Sequence, residues 1–292
     1  MTKGEGIIVV TCATGKQGGA VARELLARGH RVRAVTRKPE SPAARGLANL
    51  GAEVVSGDFD DAKSIEHAVA GAWGLFGVQN TWEAGVVREE EQGKRLVEVA
   101  RKKGVHHFVY SSVASAQHRT GIPHFENKWR IEETLRAARF PSHVILRPVF
   151  FMENFTSPSF LPALQEGKLV MAVSPTTPLQ MIAVEDIGKY GLWAFEKHAE
   201  LNRREIDIAG DEKTMTEIAR ILGEAVGRPI QFVAAPIEEV RKQSADWAIM
   251  LEWFDRVGYE APIDANSRES GIRPTSLAEW SKANLPSASA VR

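Results

Sequence analysis

The stretch Ile7–Gly19, IIVVTCATGKQGG, constrains this chain more than any other: an apolar run of strand length meets a glycine-rich turn, and helical spacing begins at once. A parallel strand buried on both faces reads as a continuous apolar run. The turn that follows directs backbone N–H groups outward, and the start of the helix adds its partial positive charge, so a phosphate is stabilised there. A dinucleotide is the first ligand that this turn predicts.

With 292 residues, 43% hydrophobic and 25% charged, the chain can bury a sizeable core and falls between one large α/β domain and two smaller ones. Lys+Arg and Asp+Glu both total 37, and no long single-sign run supplies a basic stripe, so direct nucleic-acid binding is not expected. Near the N-terminus, Lys3 and Glu5 precede a short apolar run broken by Gly15, Lys16 and Gln17. This is neither a signal peptide nor a membrane span, and the expectation is a cytoplasmic protein with no membrane partner. A single cysteine, Cys12, excludes intramolecular disulfides and a thiolate metal site; no metal is expected, and Cys12 reads as a small inert hydrophobe.

Strand-like runs at Ile7–Cys12, Val32–Thr36, Glu53–Val55, Gly74–Val78, Phe108–Ser112 and His143–Pro148 alternate with helix-like stretches at Gly18–Arg28, Ala43–Leu50, Ala62–Ala70, Ala84–Lys103 and Glu126–Arg139. Such alternation predicts βαβ units in an α/β fold with a doubly wound parallel sheet. Beyond residue 150 the pattern changes to aromatics and prolines, then to strands and helices at Lys189–His198, Glu205–Ile208, Thr216–Val226, Ile230–Val233, Glu238–Tyr259 and Leu277–Ala283. The expected organisation is a nucleotide-binding domain over 1–150, a smaller α/β cap over 151–285 interleaved with it, and a frayed tail over 286–292.

In the usual three-glycine fingerprint the first glycine permits a tight turn, the second a close approach to pyrophosphate, and the third the packing of helix on strand. Here Gly15 and Gly18 hold the second and third positions, while Cys12 holds the first, at a cost of about 1 kcal/mol or more if that turn needs positive φ. The second strand ends at Arg37 and Lys38, where an acidic residue would suit a plain ribose and a cation suits a 2′-phosphate. The pair points to NADP(H), the alternative being two solvated charges in a loop. After the third strand, Asp58 could accept a hydrogen bond from an adenine amino group with Phe59 packed beside it, and Asp60 or Asp61 could cap the next helix.

Taken together, the turn Ala13–Gly19, Val35-Thr36-Arg37, Gly57-Asp58, Asn80-Thr81-Trp82-Glu83, Val109-Tyr110-Ser111-Ser112, Pro123–Lys128 and Arg147–Asn154 resemble the NmrA-like group of the atypical short-chain dehydrogenase/reductases over nearly the full length. The resemblance implies an extended Rossmann fold that binds NADP(H), in a group where some members are redox sensors or regulators and relatives reduce small molecules. It also implies cofactor contacts from Thr14, Gly15, Lys16, Gln17, Gly18, Asn80, Ser111, Lys128, Phe150 and Asn154. The wider family uses a tyrosine four residues before a lysine, with both side chains facing the nicotinamide. Here the pair is His124 and Lys128, a substitution typical of the resembled group, so cofactor binding is retained while hydride-transfer chemistry loses its phenol.

Lys128 and His124 are thus the candidate catalytic residues: imidazole could donate a proton, or His124 could simply cap or pack at the helix start after Pro123. Trp82, Trp129, Phe151 and Phe155, with Phe150, belong to segments expected at the carboxyl ends of the strands. They could line a cleft for a flat apolar substrate, or form the seam between sheet and cap. Two functions follow: a regulatory dinucleotide binder that reports cofactor state to a protein partner, or an NADPH-dependent reductase of a small apolar carbonyl, imine, quinone or enone. The chain is expected as a monomer or homodimer.

Overall fold

The computed structural model describes residues 6–285, and the tail expected at 286–292 lies outside them. In chain order the elements are β1 (Ile7–Val10), α1 (Lys16–Ala27), β2 (Arg31–Thr36), α2 (Pro42–Asn49), β3 (Glu53–Ser56), α3 (Ala62–Val69), β4 (Ala72–Gly77), α4 (Thr81–Ala84), α5 (Val86–Lys102), β5 (His107–Ser111), α6 (Pro123–Ala138) and β6 (Ser142–Pro148). There follow β7 (Phe150–Phe151), α7 (Leu161–Gln165), β8 (Lys168–Met171), β9 (Pro178–Ile182), α8 (Val184–Glu196), β10 (Glu205–Ile208), β11 (Asp211–Thr214), α9 (Met215–Val226) and β12 (Gln231–Ala234). The chain continues through α10 (Ile237–Gln243), α11 (Ala245–Arg256), α12 (Ile263–Ser270) and α13 (Leu277–Asn284).

Seven strands form the central sheet in the order β10-β6-β5-β4-β1-β2-β3. The pairs β1–β2, β1–β4, β2–β3, β4–β5 and β5–β6 are all parallel. Strand order reverses direction between β1 and β4, and in such sheets the crevice beyond the carboxyl ends at that point is the ligand position. Val9, Leu75, Phe108, Tyr110 and Ile145 from the strands pack with Ile65, Leu96, Ile131 and Leu135 from α3, α5 and α6, each contributing about 1.5–3 kcal/mol by burial. Helices α5 and α6 approach closely because Gly93 carries no side chain; a Cβ there would lie 2.4 Å from Ile131 Cδ1.

The chain divides into two compact units. The first comprises residues up to Gln117, Pro123–Arg147 and Ile187–Ile206; the second comprises His118–Ile122, Pro148–Asp186 and residues from Asp207 onward. Where a boundary was expected at 150/151, the first unit ends this run at Arg147 and takes back twenty residues of the later sequence. In the second unit, β11-β9-β7 and β12-β8 form two small sheets, and Gln180 exchanges two hydrogen bonds with the Ala261 backbone at 3.1 and 2.8 Å.

Local chemistry accounts for two departures from helical spacing. The helix expected over Ala84–Lys103 is interrupted at Gly85, whose φ of 80° and ψ of 159° separate α4 from α5. The helix expected over Glu238–Tyr259 is broken at Ser244, which is extended and accepts a hydrogen bond from the Trp247 N–H to cap α11. Strands β7, β8, β9 and β11 and helices α7 and α12 have no counterpart in the sequence reading: the strands and α7 are runs of two to five residues with little periodic signal, and α12, which buries Asn266 alone, has no apolar stripe. Among the described residues no helix is long and apolar enough to cross a membrane.

At the amino end of β5, His107 is fully enclosed, with Nδ1 2.9 Å from Ser142 Oγ and Nε2 3.1 Å from the Ala194 carbonyl. Burial, reinforced by the neighbouring His198, His106 and His143, pushes its imidazole down to about 3. The folded state therefore binds fewer protons at this group than the unfolded state, whose reference value is ~6.5. The stability it confers is complete above that value and drains as pH falls toward the folded one, by about 2 kcal/mol between pH 6.5 and 5. Urea denaturation at the two pH values should show this loss in the wild type and a smaller one in His107→Gln.

Candidate functional site

The turn between β1 and α1 is built around two close approaches. A Cβ on Gly18 would lie 2.4 Å from the carbonyl oxygens of both Thr11 and Cys12, so the helix can sit on the strand end only with glycine there. Cys12 adopts φ of 48°, the left-handed region that costs a non-glycine residue roughly 1–2 kcal/mol. Its carbonyl receives the Gly15 N–H at 2.8 Å, and its thiol lies 3.3 Å from the Val78 carbonyl. Burial pushes that thiol up to about 11, which leaves it protonated and unreactive at neutral pH.

Gly15 is the extended N-cap of α1; it has no side chain to cap the first turn, and no acidic residue lies in that turn. Neither a side-chain cap at Gly15 nor an acid in the first turn offsets the partial positive charge of this helix start. Cross-ties hold the turn in place. Thr11 Oγ1 lies 3.1 Å from the Phe76 carbonyl and accepts from the Val78 N–H at 3.1 Å, joining β1 to β4 across the reversal point. Ser111 Oγ donates to Gln17 Oε1 at 2.6 Å, and Thr14 Oγ1 lies 3.1 Å from Thr36 Oγ1.

Around this turn the structure gathers the other candidates of the first unit. Arg37 extends from the carboxyl end of β2 and is ion-paired with Glu83, and the Lys38 N–H donates to Thr36 Oγ1 at 3.2 Å. Lys16 and Lys38 are exposed. Asp58 Oδ1 accepts from the Asp60 N–H at 3.0 Å, which stiffens the loop after β3, and Phe59 packs partly buried on the core. Asp61 caps α3 through the Lys63 N–H. Asn80 caps α4, its Oδ1 accepting from the Trp82 N–H at 3.2 Å.

On α6, His124 and Lys128 lie one turn apart. The Lys128 ammonium forms an ion pair of 2.7 Å with Glu89, a carboxylate with no exposed surface. Glu89 also accepts from Asn127 Nδ2 at 2.8 Å and from the Thr81 hydroxyl. Burial alone would push the Glu89 carboxyl up, but the Lys128 charge and these hydrogen bonds outweigh it and hold it below the ordinary carboxylate value. Lys128 Nζ further donates to the Gln79 carbonyl at 3.4 Å and lies 5.6 Å from the centre of the Tyr110 ring. The Tyr110 hydroxyl is sealed inside the core, and burial raises its ionisation well above the usual value. The His124 ring packs against Trp82 at 5.1 Å and edge-on to Phe125 at 4.8 Å.

The four aromatic cleft candidates have different surroundings. Trp82 is 62% exposed on α4, whereas Trp129 lies under the Arg136 guanidinium at 4.2 Å. In the second unit Phe155 is fully enclosed by the rings of Phe150, Phe160 and Trp280 at 5.7, 5.8 and 6.4 Å, so it has no face to offer a ligand. Phe151 pairs β7 to β9 and is half-buried, and Asn154 lies in the short turn Met152–Thr156.

Sequence reasoning assigned no role to Glu89 or Gln79. Glu89 falls on the same face of α5 as Gly93, Leu96 and Ala100, and an acidic residue within an apolar stripe is the signal that marks it. Gln79 lies two residues beyond β4; it is 4% exposed, and neither polar atom of its side chain has a partner. Ser112 Oγ, beyond β5, is likewise enclosed and unpartnered. Partnerless buried polar atoms cost about 1–3 kcal/mol each, and these two lie at the ends of adjacent strands where ligands bind in this fold. Among the described residues no group of His, Cys, Asp or Glu is arranged to hold a metal ion.

The fold and turn define a doubly wound α/β protein whose strand order reverses above a glycine turn. A family model described as the NmrA-like family matches residues 4–281, and the chain belongs to that family. Among curated relatives, the NmrA-like family domain-containing oxidoreductase FrzB of Cladobotryum sp. is 37% identical over 167 residues, covering 53% of this chain and 50% of that protein. The match thus spans about half the length of that relative. Solved structures that share the fold include the two that follow. NmrA, a negative transcriptional regulator in complex with NADP, has a TM-score of 0.81 at 18% identity, covering 96% of this chain and 95% of that one. Triphenylmethane reductase of Citrobacter sp. complexed with NADP(H) has a TM-score of 0.78 at 22% identity, covering 96% and 100%.

Removing one member of the buried ion pair leaves the other charge unmatched. Glu89→Gln should destabilise the protein by about 3 kcal/mol in urea denaturation, and the double variant Glu89→Leu/Lys128→Met should recover more than half of that loss.

Proposed function

We propose that this protein binds NADP(H) at the β1–α1 turn and that dinucleotide occupancy, rather than turnover, is what it conveys to a protein partner. The observation that carries the cofactor assignment is a guanidinium, Arg37, at the carboxyl end of β2 beside an uncapped helix start. In this arrangement Gly15, Lys16, Gln17 and Thr14 would hold the pyrophosphate, Arg37 and Lys38 the 2′-phosphate, Asp58 and Phe59 the adenine, and Ser111 and Lys128 the nicotinamide half. Unpartnered polar atoms on Gln79 and Ser112 fit a ligand that brings hydrogen-bonding groups of its own. NmrA, which shares the fold, is described as a regulator in complex with NADP.

The bound cofactor would supply a hydride; what this chain supplies is binding and orientation. The phenol position of the wider family is His124, packed under Trp82, and the one remaining tyrosine nearby, Tyr110, is sealed in the core. Lys128 is engaged with Glu89 at 2.7 Å. These observations favour a sensor, for which the two cofactor states must differ in their binding free energy to the partner-competent form. Equal partner affinity in the presence of NADPH and NADP⁺ would refute the regulatory half of this reading.

A second reading rests on curated relatives such as FrzB being named oxidoreductases and on the retained lysine. Under it the protein reduces a small apolar carbonyl, imine, quinone or enone with Lys128 handling the proton. NADPH oxidation above background across such a panel, abolished by Lys128→Ala, would favour it over the sensor.

For the cofactor itself, fluorescence titration should show NADPH binding weakened about tenfold by Arg37→Ala, equivalent to about 1.4 kcal/mol. NADH affinity should stay within about twofold.

A further inference from the structure

Glu83 has no place in the reading above, yet it holds the one guanidinium assigned to the 2′-phosphate. Arg37 and Glu83 are ion-paired, and their side chains are 55% and 54% exposed. An exposed pair of this kind contributes about 0–1 kcal/mol. A phosphate dianion, which a guanidinium can grip through two parallel hydrogen bonds, is the stronger partner. Glu83 is therefore a ligand that a 2′-phosphate can displace, and until displaced it both occupies Arg37 and presents a like charge to the incoming phosphate.

The segment that carries Glu83 is poorly anchored by packing. Helix α4 is a single turn with no buried residue, and it ends at Gly85, in a backbone region open to glycine alone. Side chains of the same turn reach the other half of the site: Thr81 donates to Glu89, the partner of Lys128, and the Trp82 ring covers His124. One short turn thus spans from the Arg37 guanidinium to the lysine and histidine of α6.

We propose that Glu83 sets the choice between the phosphorylated and unphosphorylated dinucleotides, as the internal ligand of Arg37 that a ribose 2′-phosphate displaces and a ribose 2′-hydroxyl does not. This rests on the reading that the chain binds a nicotinamide dinucleotide. Displacement cuts the tie between α4 and β2, so the phosphorylated form changes the environment of Trp82 and the unphosphorylated form leaves it in place.

The test is calorimetric titration of the full chain with NADP⁺ and NAD⁺, for wild type, Glu83→Gln, Glu83→Asp and Glu83→Gln in an Arg37→Ala background. Tryptophan emission of wild type and Trp82→Phe is followed alongside. Glu83→Gln should tighten NADP⁺ binding three- to tenfold and leave NAD⁺ within twofold, and Glu83→Asp should fall between it and wild type. The gain should vanish in the Arg37→Ala background. NADP⁺, unlike NAD⁺, should alter the emission component lost in Trp82→Phe. An unchanged NADP⁺ to NAD⁺ ratio in Glu83→Gln, or a gain that persists without Arg37, overturns the role of Glu83 while leaving dinucleotide binding standing. A wild type that binds neither dinucleotide overturns the cofactor reading itself, and this proposal with it.

Discussion

Helix α1 rests directly on the carbonyl oxygens of Thr11 and Cys12, a contact possible only because Gly18 lacks a Cβ. Most of the site depends on it. The close seat aims the amino end of the helix at the point where the strand order reverses, and Cys12 beside it holds a left-handed backbone that a cysteine adopts at a cost of roughly 1–2 kcal/mol. The hydroxyls of Thr11, Thr14 and Ser111 then tie the turn to β4, β2 and β5. Strain at one residue is balanced by bonds to three neighbouring strands, which is how a local irregularity persists in a folded chain.

A buried charge governs the opposite half of the site. Glu89 has no exposed surface, so its carboxylate needs a matched cation and hydrogen-bond donors, and Lys128, Asn127 and Thr81 provide them. The lysine is thereby fixed in place, and the Thr81 hydroxyl ties the lightly packed turn that bears it to the same carboxylate. Because that same turn bears Glu83, the electrostatics of the lysine end and of the Arg37 end share one short segment of chain.

Much of this was legible in the amino-acid sequence for definite reasons. Parallel strands buried on both faces announce themselves as apolar runs, and all seven central strands fall where the sequence marks strands, the last of them at Glu205–Ile208. Gly15, Gly18 and Arg37 were recognisable because backbone geometry and phosphate chemistry demand those residue types at those places. The partner of Arg37 was not recognisable, since Glu83 lies 46 residues away in sequence and meets it only when β2 and the segment after β4 are brought to one rim of the sheet. Glu89 was marked only as one acid within a stripe of small and apolar positions on its helix, and nothing local named Lys128 as its partner. The return of Ile187–Ile206 to the first unit was equally hidden, because a helix carries no mark of which unit it packs on.

By itself, the sequence determined the fold class, the family and the place of the glycine turn, because each rests on local rules: strand and helix periodicity, the space a Cβ needs, and the charge a phosphate requires. Only the tertiary structure decided which charges face one another. It joined Lys128 to Glu89 and Arg37 to Glu83, enclosed Phe155 among three other rings, and left the side-chain polar atoms of Gln79 and Ser112 without partners at the ends of adjacent strands. Those outcomes depend on distances between segments far apart in the chain, and no local periodicity encodes a distance of that kind.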